Sequence, residues 1–226
     1  MMKPLLAIET STVACSVAVG SATGMALQER HEPGAHASHI MGMIDVALEE
    51  AGIAMDALAG IVYGQGPGSF TGVRIAVALA QGLAAGLNVS VLGVSSLAAL
   101  AQSASSTYPG RSLLVVQDAR MGEVYVGAYA PDERGIVQAQ AADRLLGPDA
   151  VAAVAEGVVL GGALQALPAL ASRLSDDGMM TDASRALPSA RELLVLAREA
   201  DDGDWTPAAR AAAVYLRQQV ATAKPA

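Results

Sequence analysis

The stretch Gly64-Gln65-Gly66-Pro67-Gly68-Ser69-Phe70-Thr71-Gly72-Val73-Arg74 decides how the rest of the chain is read. Four glycines and a proline fall within nine residues, and the stretch runs straight into a long apolar segment. It holds Phe70, the only phenylalanine among 226 residues, and Arg74, one of just 14 Lys and Arg. Glycine at this density serves a backbone with positive φ, or one packed against a close neighbour. Ser69 or Thr71 can cap the helix that follows, so the loop aims several free N–H groups at one point. Such a loop can hold an anion or seat a partner's backbone. No Lys-Ser/Thr follows the glycines, so this is not a Walker A loop, and the third glycine of a dinucleotide fingerprint is missing.

Outward from the loop, the chain alternates. Ala59 to Tyr63 reads as a short buried strand ending at the loop, and a helix runs from about Phe70 to Ala85, closing at Gly86. Val89 to Val94 reads as a strand, with Ser95 capping a helix to about Ser103. Upstream, Leu5 to Thr10 and the period-two run Val13 to Val19 are strands joined by the turn Glu9-Thr10-Ser11-Thr12. Met25 to His31 is a third, more polar strand near an edge. A helix from about Ser38 to Glu50, stopped by Gly52, completes the order βββαβαβα. Hairpins followed by strand–helix alternation predict an α/β sheet with parallel crossovers, covered by helices.

The turn-rich stretch from Ser103 to Arg111 divides the chain into domains 1–106 and 107–226. Beyond it, Leu113 to Gln117, Glu123 to Ala130 and Val158 to Leu160 read as strands, and 163–173 and 189–200 as helices. A tail begins at Trp205-Thr206-Pro207, with a helical piece from Ala208 to Ala213 and a frayed end at 222–226. The second half thus reads as a shortened variation on the first.

Composition narrows the function. The chain is 53% hydrophobic and 16% charged, which excludes disorder, and at 3% aromatic its core must be built from aliphatic side chains. A net charge of -8 with no Lys/Arg cluster argues against tight nucleic-acid binding by this chain alone. Cys15, the one cysteine, reads as a small buried core residue in a reduced, cytosolic setting. The apolar run before Glu9 is too brief for a signal peptide, and no uninterrupted apolar run has the length of a membrane span.

Two helices carry surplus apolar surface. On 38–51, Ile40, Met41, Ile44, Ala47, Leu48 and Ala51 form one stripe, which Met43 and Val46 extend round a second face. On 70–85 only Arg74 and Gln81 are strongly polar. Exposed apolar faces rimmed by polar residues meet other proteins, so both helices are candidate interfaces. Other constellations are weaker. His36 and His39, three apart, lack a third metal ligand close in sequence. Asp118 and Glu123 offer an acid–base pair, but Arg120 between them favours a salt-bridged turn.

The runs Leu6-Ala7-Ile8-Glu9-Thr10-Ser11-Thr12 with Cys15-Ser16-Val17-Ala18, Gly64 to Ile75, and Asp118-Ala119-Arg120-Met121-Gly122-Glu123-Val124-Tyr125 resemble the TsaB (YeaZ) family. The fragment Val214-Tyr215-Leu216-Arg217 is similar to that family's C-terminal motif. The resemblance implies an actin/Hsp70/sugar-kinase type fold with two ribonuclease-H-like halves, the second reduced. It implies a non-catalytic subunit in the making of N6-threonylcarbamoyladenosine at position 37 of ANN-decoding tRNAs. The expected partners are a TsaD-like transferase and a TsaE-like ATPase, with homodimerisation when the chain is alone. Contact with tRNA is then only indirect. ATP or ADP and Mg are expected only through the complex, with no intrinsic cofactor and no metal.

The same resemblance puts His39, Ile40, Met43, Val46, Ala47, Phe70, Arg74, Val77 and Leu79 at the partner interface. Gly64, Gly66, Pro67, Gly68, Ser69 and Thr71 form the loop. Glu9, Thr10, Ser11, Gly161 and Gly162 are positions of a degenerate nucleotide site, with Glu9 where the family usually has Asp. The transferase's His-x-x-x-His motif has no counterpart here. A stand-alone ATP-dependent enzyme of the same fold and a metallopeptidase remain as alternatives.

Overall fold

The structure is a computed structural model that describes residues 3–22 and 24–217; the fraying expected at 222–226 lies outside the described residues. The first half opens with a meander of β1 (Leu5–Glu9), β2 (Cys15–Gly20) and β3 (Met25–Arg30), then α1 (His36–Ala51), β4 (Gly60–Gly64), α2 (Phe70–Leu87), β5 (Ser90–Val94) and α3 (Ser96–Ser105). The second half follows with β6 (Leu113–Arg120), β7 (Glu123–Pro131), β8 (Val137–Ala139), β9 (Arg144–Leu146) and β10 (Val158–Leu160). It continues with α4 (Ala163–Ala166), α5 (Pro168–Asp176), β11 (Met180–Asp182), α6 (Ala190–Ala197) and β12 (Thr206–Pro207).

Two sheets result. The first runs β12-β5-β4-β1-β2-β3 and the second β11-β10-β6-β7-β8, with β9 also paired to β7. In each, an antiparallel hairpin (β1–β2, β6–β7) is extended on one side by an antiparallel strand. On the other side two parallel strands add in the same order. These are two ribonuclease-H-like halves, and among the described residues the second lacks a counterpart of α1.

Period two sorts the first sheet's side chains. Leu6, Ile8, Val17, Val19, Ile61 and Tyr63 face α1 and α2, while Ala7, Ala18 and Val62 face α6. Small residues on that second face let a helix approach closely, and Ser16 Oγ accepts from the Ala190 N–H at 2.9 Å, satisfying an orphan donor at the start of α6. In the second sheet Leu114, Val116 and Val159 pack under α4 and α5, and Leu113, Val115 and Leu160 pack against α3. Full burial of each such aliphatic side chain is worth about 1.5–3 kcal/mol.

Several expectations change. Helix α2 runs past Gly86 and ends at Asn88, whose φ of 55° is a left-handed conformation that asparagine tolerates. Pro168 splits the helix expected over 163–173, and α6 covers only part of 189–200. Strands β8, β9, β11 and β12, two or three residues each, carry too little periodicity to read from sequence. The helical piece expected over 208–213 is a single 3-10 turn, Ala208–Arg210.

The chain also returns across its own divide. Helix α6 packs on β1, β2, β4 and β5, and β12 pairs antiparallel with β5. By length and composition alone α2 could cross a membrane; it lies on the first sheet, packed against β4, β1 and β5.

Candidate functional site: the glycine loop, its cleft and the C-terminal strap

The glycine loop leaves the C-terminal end of β4 and turns through a cis Gly66–Pro67 peptide into α2. Ser69 caps the helix, its Oγ accepting from the Gly72 N–H at 3.4 Å. What the loop packs against is the β1–β2 turn of the same chain. Ser69 N donates to Ser11 O at 2.7 Å and Thr10 Oγ1 donates to Gly72 O at 2.7 Å. A Cβ at Gly72 would overlap the Thr10 carbonyl oxygen, and one at Gly64 would overlap the Glu9 carboxylate. The glycines are therefore needed for close approach, and the neighbour they admit is Glu9-Thr10-Ser11.

Glu9 itself is fully buried. Its Oε1 accepts from Ser11 N at 2.6 Å and its Oε2 accepts from Ser96 Oγ at 2.8 Å. Burial pushes its carboxyl above the usual carboxylate range, and the hydrogen bonds from Ser11 and Ser96 offset only part of that rise. The carboxylate thus ties the β1–β2 turn to the start of α3, with Ser96 N also donating to Gly66 O at 2.9 Å. In the second half Gly161 is spoken for in the same way. A Cβ there would overlap Val116 O, and Gly162 N donates to Gln117 Oε1 at 3.1 Å.

A cleft of about 990 Å³ lies in front of these loops, lined from the first half by Ser11, Pro67 to Gly72 and Leu97. From the second half it is lined by Gln117 to Met121, Gly162 and Pro188, and along one rim by Val214 to Arg217. Of the expected nucleotide-site positions, Ser11 and Gly162 reach this cleft; Glu9, Thr10 and Gly161 are not on its lining.

Sequence reasoning missed the strap that forms the rim. Residues 211–217 carry no helix or strand, yet their polar groups bind both halves. On the first half, Ala212 N donates to Tyr63 OH at 3.0 Å, Gln81 Nε2 donates to Ala211 O at 2.9 Å and Val214 N donates to Gln65 O at 2.8 Å. Arg74 Nε donates to Tyr215 OH at 2.8 Å. Two residues further on, Arg217 reaches the second half, donating to Ala119 O at 3.1 Å, Arg120 O at 3.3 Å and Glu123 Oε2. Glu123 pairs with Arg217, and Asp118 pairs with Arg120 at 3.0 Å, so the two carboxylates form separate ion pairs in a structural turn. The signal was present: an aromatic and a cation two apart in a chain poor in both.

The predicted interface residues divide. Ile40, Met43 and Ala47 are core residues, 1%, 5% and 0% exposed, because their side of α1 faces the sheet. They are corrected to structural positions. Val46 and Met41 stand outward at 42% and 43%, and His39 is half-exposed beside Glu32 at 3.2 Å. On α2, Phe70 and Arg74 are exposed and Val77 and Leu79 half-buried, while Ala78, Gly82, Ala85 and Gly86 line the outward face. The outer surface of α1 and α2 therefore carries apolar and small residues with Asp45, Glu49 and Glu50 exposed among them on α1, and its apolar part is narrower than the sequence suggested.

The histidines do not converge. His36 is buried, its Nε2 sharing a hydrogen bond with Thr12 O at 2.8 Å, and His31 lies beside Glu29 at 2.6 Å. Among the described residues no three His, Cys, Asp or Glu side chains are grouped to hold a metal. Cys15 is buried against Met43, Sγ to Sδ 3.9 Å, and burial pushes its thiol up to about 11.

The family model for "TsaD: tRNA N6-adenosine threonylcarbamoyltransferase" matches residues 32–174. The chain is 36% identical over 227 residues to the Escherichia coli "tRNA threonylcarbamoyladenosine biosynthesis protein TsaB", covering 97% of each. Two solved structures from Pseudomonas aeruginosa superpose on it. One, described as similar to peptidase YeaZ, does so with a TM-score of 0.87 and 38% identity, over 96% of this chain and all of that one. The other, YeaZ, does so with a TM-score of 0.84 and 37% identity, over 95% of this chain and 100% of that one. With this likeness over almost its whole length, the chain belongs to the TsaB (YeaZ) family.

Proposed function

We propose that this chain is the non-catalytic subunit of a tRNA threonylcarbamoyladenosine-forming assembly, pairing in the cytosol with a TsaD-like transferase that a TsaE-like ATPase joins. The observation that carries the reading is the outward face of α1 and α2. Met41 and Val46 are exposed there, with the small outward residues of α2 on one helix and the carboxylates of Asp45, Glu49 and Glu50 as a polar rim on the other, on a half whose inner faces are already filled. Alone, the chain would cover the same face by pairing with itself. The acidic charge supports leaving tRNA to the partners. The self-packed glycine loop and buried Glu9 support leaving ATP and Mg to them as well.

Reconstitution of the tRNA modification from purified components tests this. Omitting the chain should abolish product, and no chemistry should be lost when Asp118 or Glu123 is changed to its amide. Full product without the chain would contradict the proposal. The cleft of about 990 Å³ supports one rival, a stand-alone ATP-dependent enzyme. Micromolar Mg-ATP binding with turnover by the isolated chain would favour that rival.

A further inference from the structure

The chain has one Trp, five Tyr and one Phe. Two of these aromatics, Phe70 and Tyr215, stand in the open at 51% exposure each. Their ring centres lie 5.8 Å apart, tilted by 42°, and Arg74 is held against both. Its guanidinium carbon sits 3.6 Å from the Phe70 ring centre and 5.8 Å from that of Tyr215. Its Nε donates to the Tyr215 hydroxyl at 2.8 Å. Tyr215 is fixed in turn by the strap, through the Val214 N–H on Gln65 O and the Arg217 contacts across the cleft.

This arrangement uses one face and one edge of the guanidinium. Among the described residues, no carboxylate pairs with Arg74 and no acceptor meets its terminal nitrogens. Its neighbours across the cleft differ, since Arg120 is paired with Asp118 and Arg217 with Glu123. Beside Arg74 stand the two rings, and Val13 at 45% and Val214 at 38% exposure line the same cleft as those rings, as do Asp118, Arg120 and Arg217.

An ordinary surface arginine loses much rotamer freedom on binding. Stacked and tethered, this one has lost it already, so pairing costs less. The free end of the fork matches the two oxygens of a carboxylate in parallel hydrogen bonds. Covering the two rings would strengthen that pair and penalise an uncompensated charge. A polyphosphate backbone would instead meet the field of a chain with net charge -8. One cation held between two aromatic rings fits one anion flanked by apolar groups.

We propose that the Phe70–Arg74–Tyr215 clamp is the anchor for an Asp or Glu side chain, flanked by apolar residues, on the protein that covers α2. The inference rests on the pairing reading above and names the chemistry that the partner brings. It also assigns the C-terminal segment a role at the interface, since Tyr215 holds the arginine in register.

The test is calorimetric titration of the full chain with the TsaD-family protein of the same organism at low and high salt, circular dichroism confirming that each variant is folded. Arg74→Glu should weaken pairing by about tenfold or more and flatten its salt dependence. Arg74→Lys should lose part of the affinity and Tyr215→Phe less. An Asp→Arg or Glu→Arg change in the partner should restore affinity for Arg74→Glu while weakening it for the unaltered chain, a rescue that a structural role for Arg74 would not give.

If Arg74→Glu pairs normally while Val46→Asp does not, the anchor is overturned and the pairing stands. If the unaltered chain does not pair, both fall. If Arg74→Glu weakens pairing but no partner substitution restores it, the carboxylate assignment fails. If Arg74→Glu instead lowers binding of a tRNA transcript and leaves the protein pairing intact, the anion is a phosphate and the proposal is wrong.

Discussion

The two halves of the chain share a strand order and differ in what covers it. Strands β3-β2-β1-β4-β5 correspond to β8-β7-β6-β10-β11, and in both the step from the fourth strand to the next helix passes a glycine turn that embraces its own hairpin. In the first half, α1 and α2 lie side by side outside the sheet, with Met41, Val46 and small residues outward among the carboxylates of Asp45, Glu49 and Glu50. In the second, among the described residues, α1 has no counterpart and α2 is replaced by the short α4 and α5. There the outward residues of α5 are Pro168, Ala169, Ser172, Ser175 and Asp176. The first half, with two long helices, leaves Met41, Val46 and Phe70 uncovered on them. The second half exposes no large apolar side chain on α4 or α5, though Met121 and Met180 stand out elsewhere on it, and the proposed pairing is placed on the first half.

The comparison breaks most visibly at the glycine turns. Gly72→Ala and Gly161→Ala each push a Cβ into a backbone carbonyl, so each should lower the unfolding free energy by about 3 kcal/mol in urea titrations. Gly86→Ala, with nothing within 4 Å, should stabilise by about 0.5–1 kcal/mol. A tolerated Gly161→Ala would mean that the second half's turn is vestigial.

Next in size is the strap. Arg217, its side chain 18% exposed, joins the halves through charged hydrogen bonds, and Arg217→Ala should cost about 2 kcal/mol. Faster amide exchange should appear in 118–124 before it appears in β1 to β4.

Smallest is the buried acid of the first half. The folded-state pKa of Glu9 lies above its ordinary 4.5, so the stability tied to its protonated form is complete below pH 4.5. That stability is lost as pH rises from there through the raised value, and is constant above it. Glu9→Gln removes this titration. Its stability relative to the unaltered chain should therefore climb with pH across that window, read as the difference between two denaturation series. A flat difference would mean that Glu9 ionises freely when folded.

Much of this was legible. The strands read at 5–10, 13–19, 113–117 and 123–130 and the glycine punctuation carried both hairpins, the parallel crossovers and the shortened second half. Strands of two or three residues such as β11 and β12 left no pattern, because their pairing is set by where earlier elements place an open edge. The surplus apolar surface of α1 was half an illusion. Met43 and Val46 look alike in sequence, but the helix turns one into the core and the other to solvent. The glycine loop was visible as a site of close approach, though not what approaches, since that depends on Thr10 lying 62 residues away in the chain. Tyr215 and Arg217 sit in a stretch with no periodicity, and only the fold brings them to Arg74 and Glu123.

The central claim is that pairing uses the outer face of the first half and leaves the second half free. Titration of the TsaD-family partner with Val46→Asp on α1 and Ala169→Asp on α5, two exposed outward positions, tests it most directly. The account predicts that Val46→Asp weakens pairing by about tenfold or more while Ala169→Asp binds like the unaltered chain. Unchanged binding by Val46→Asp, or a loss confined to Ala169→Asp, would contradict it.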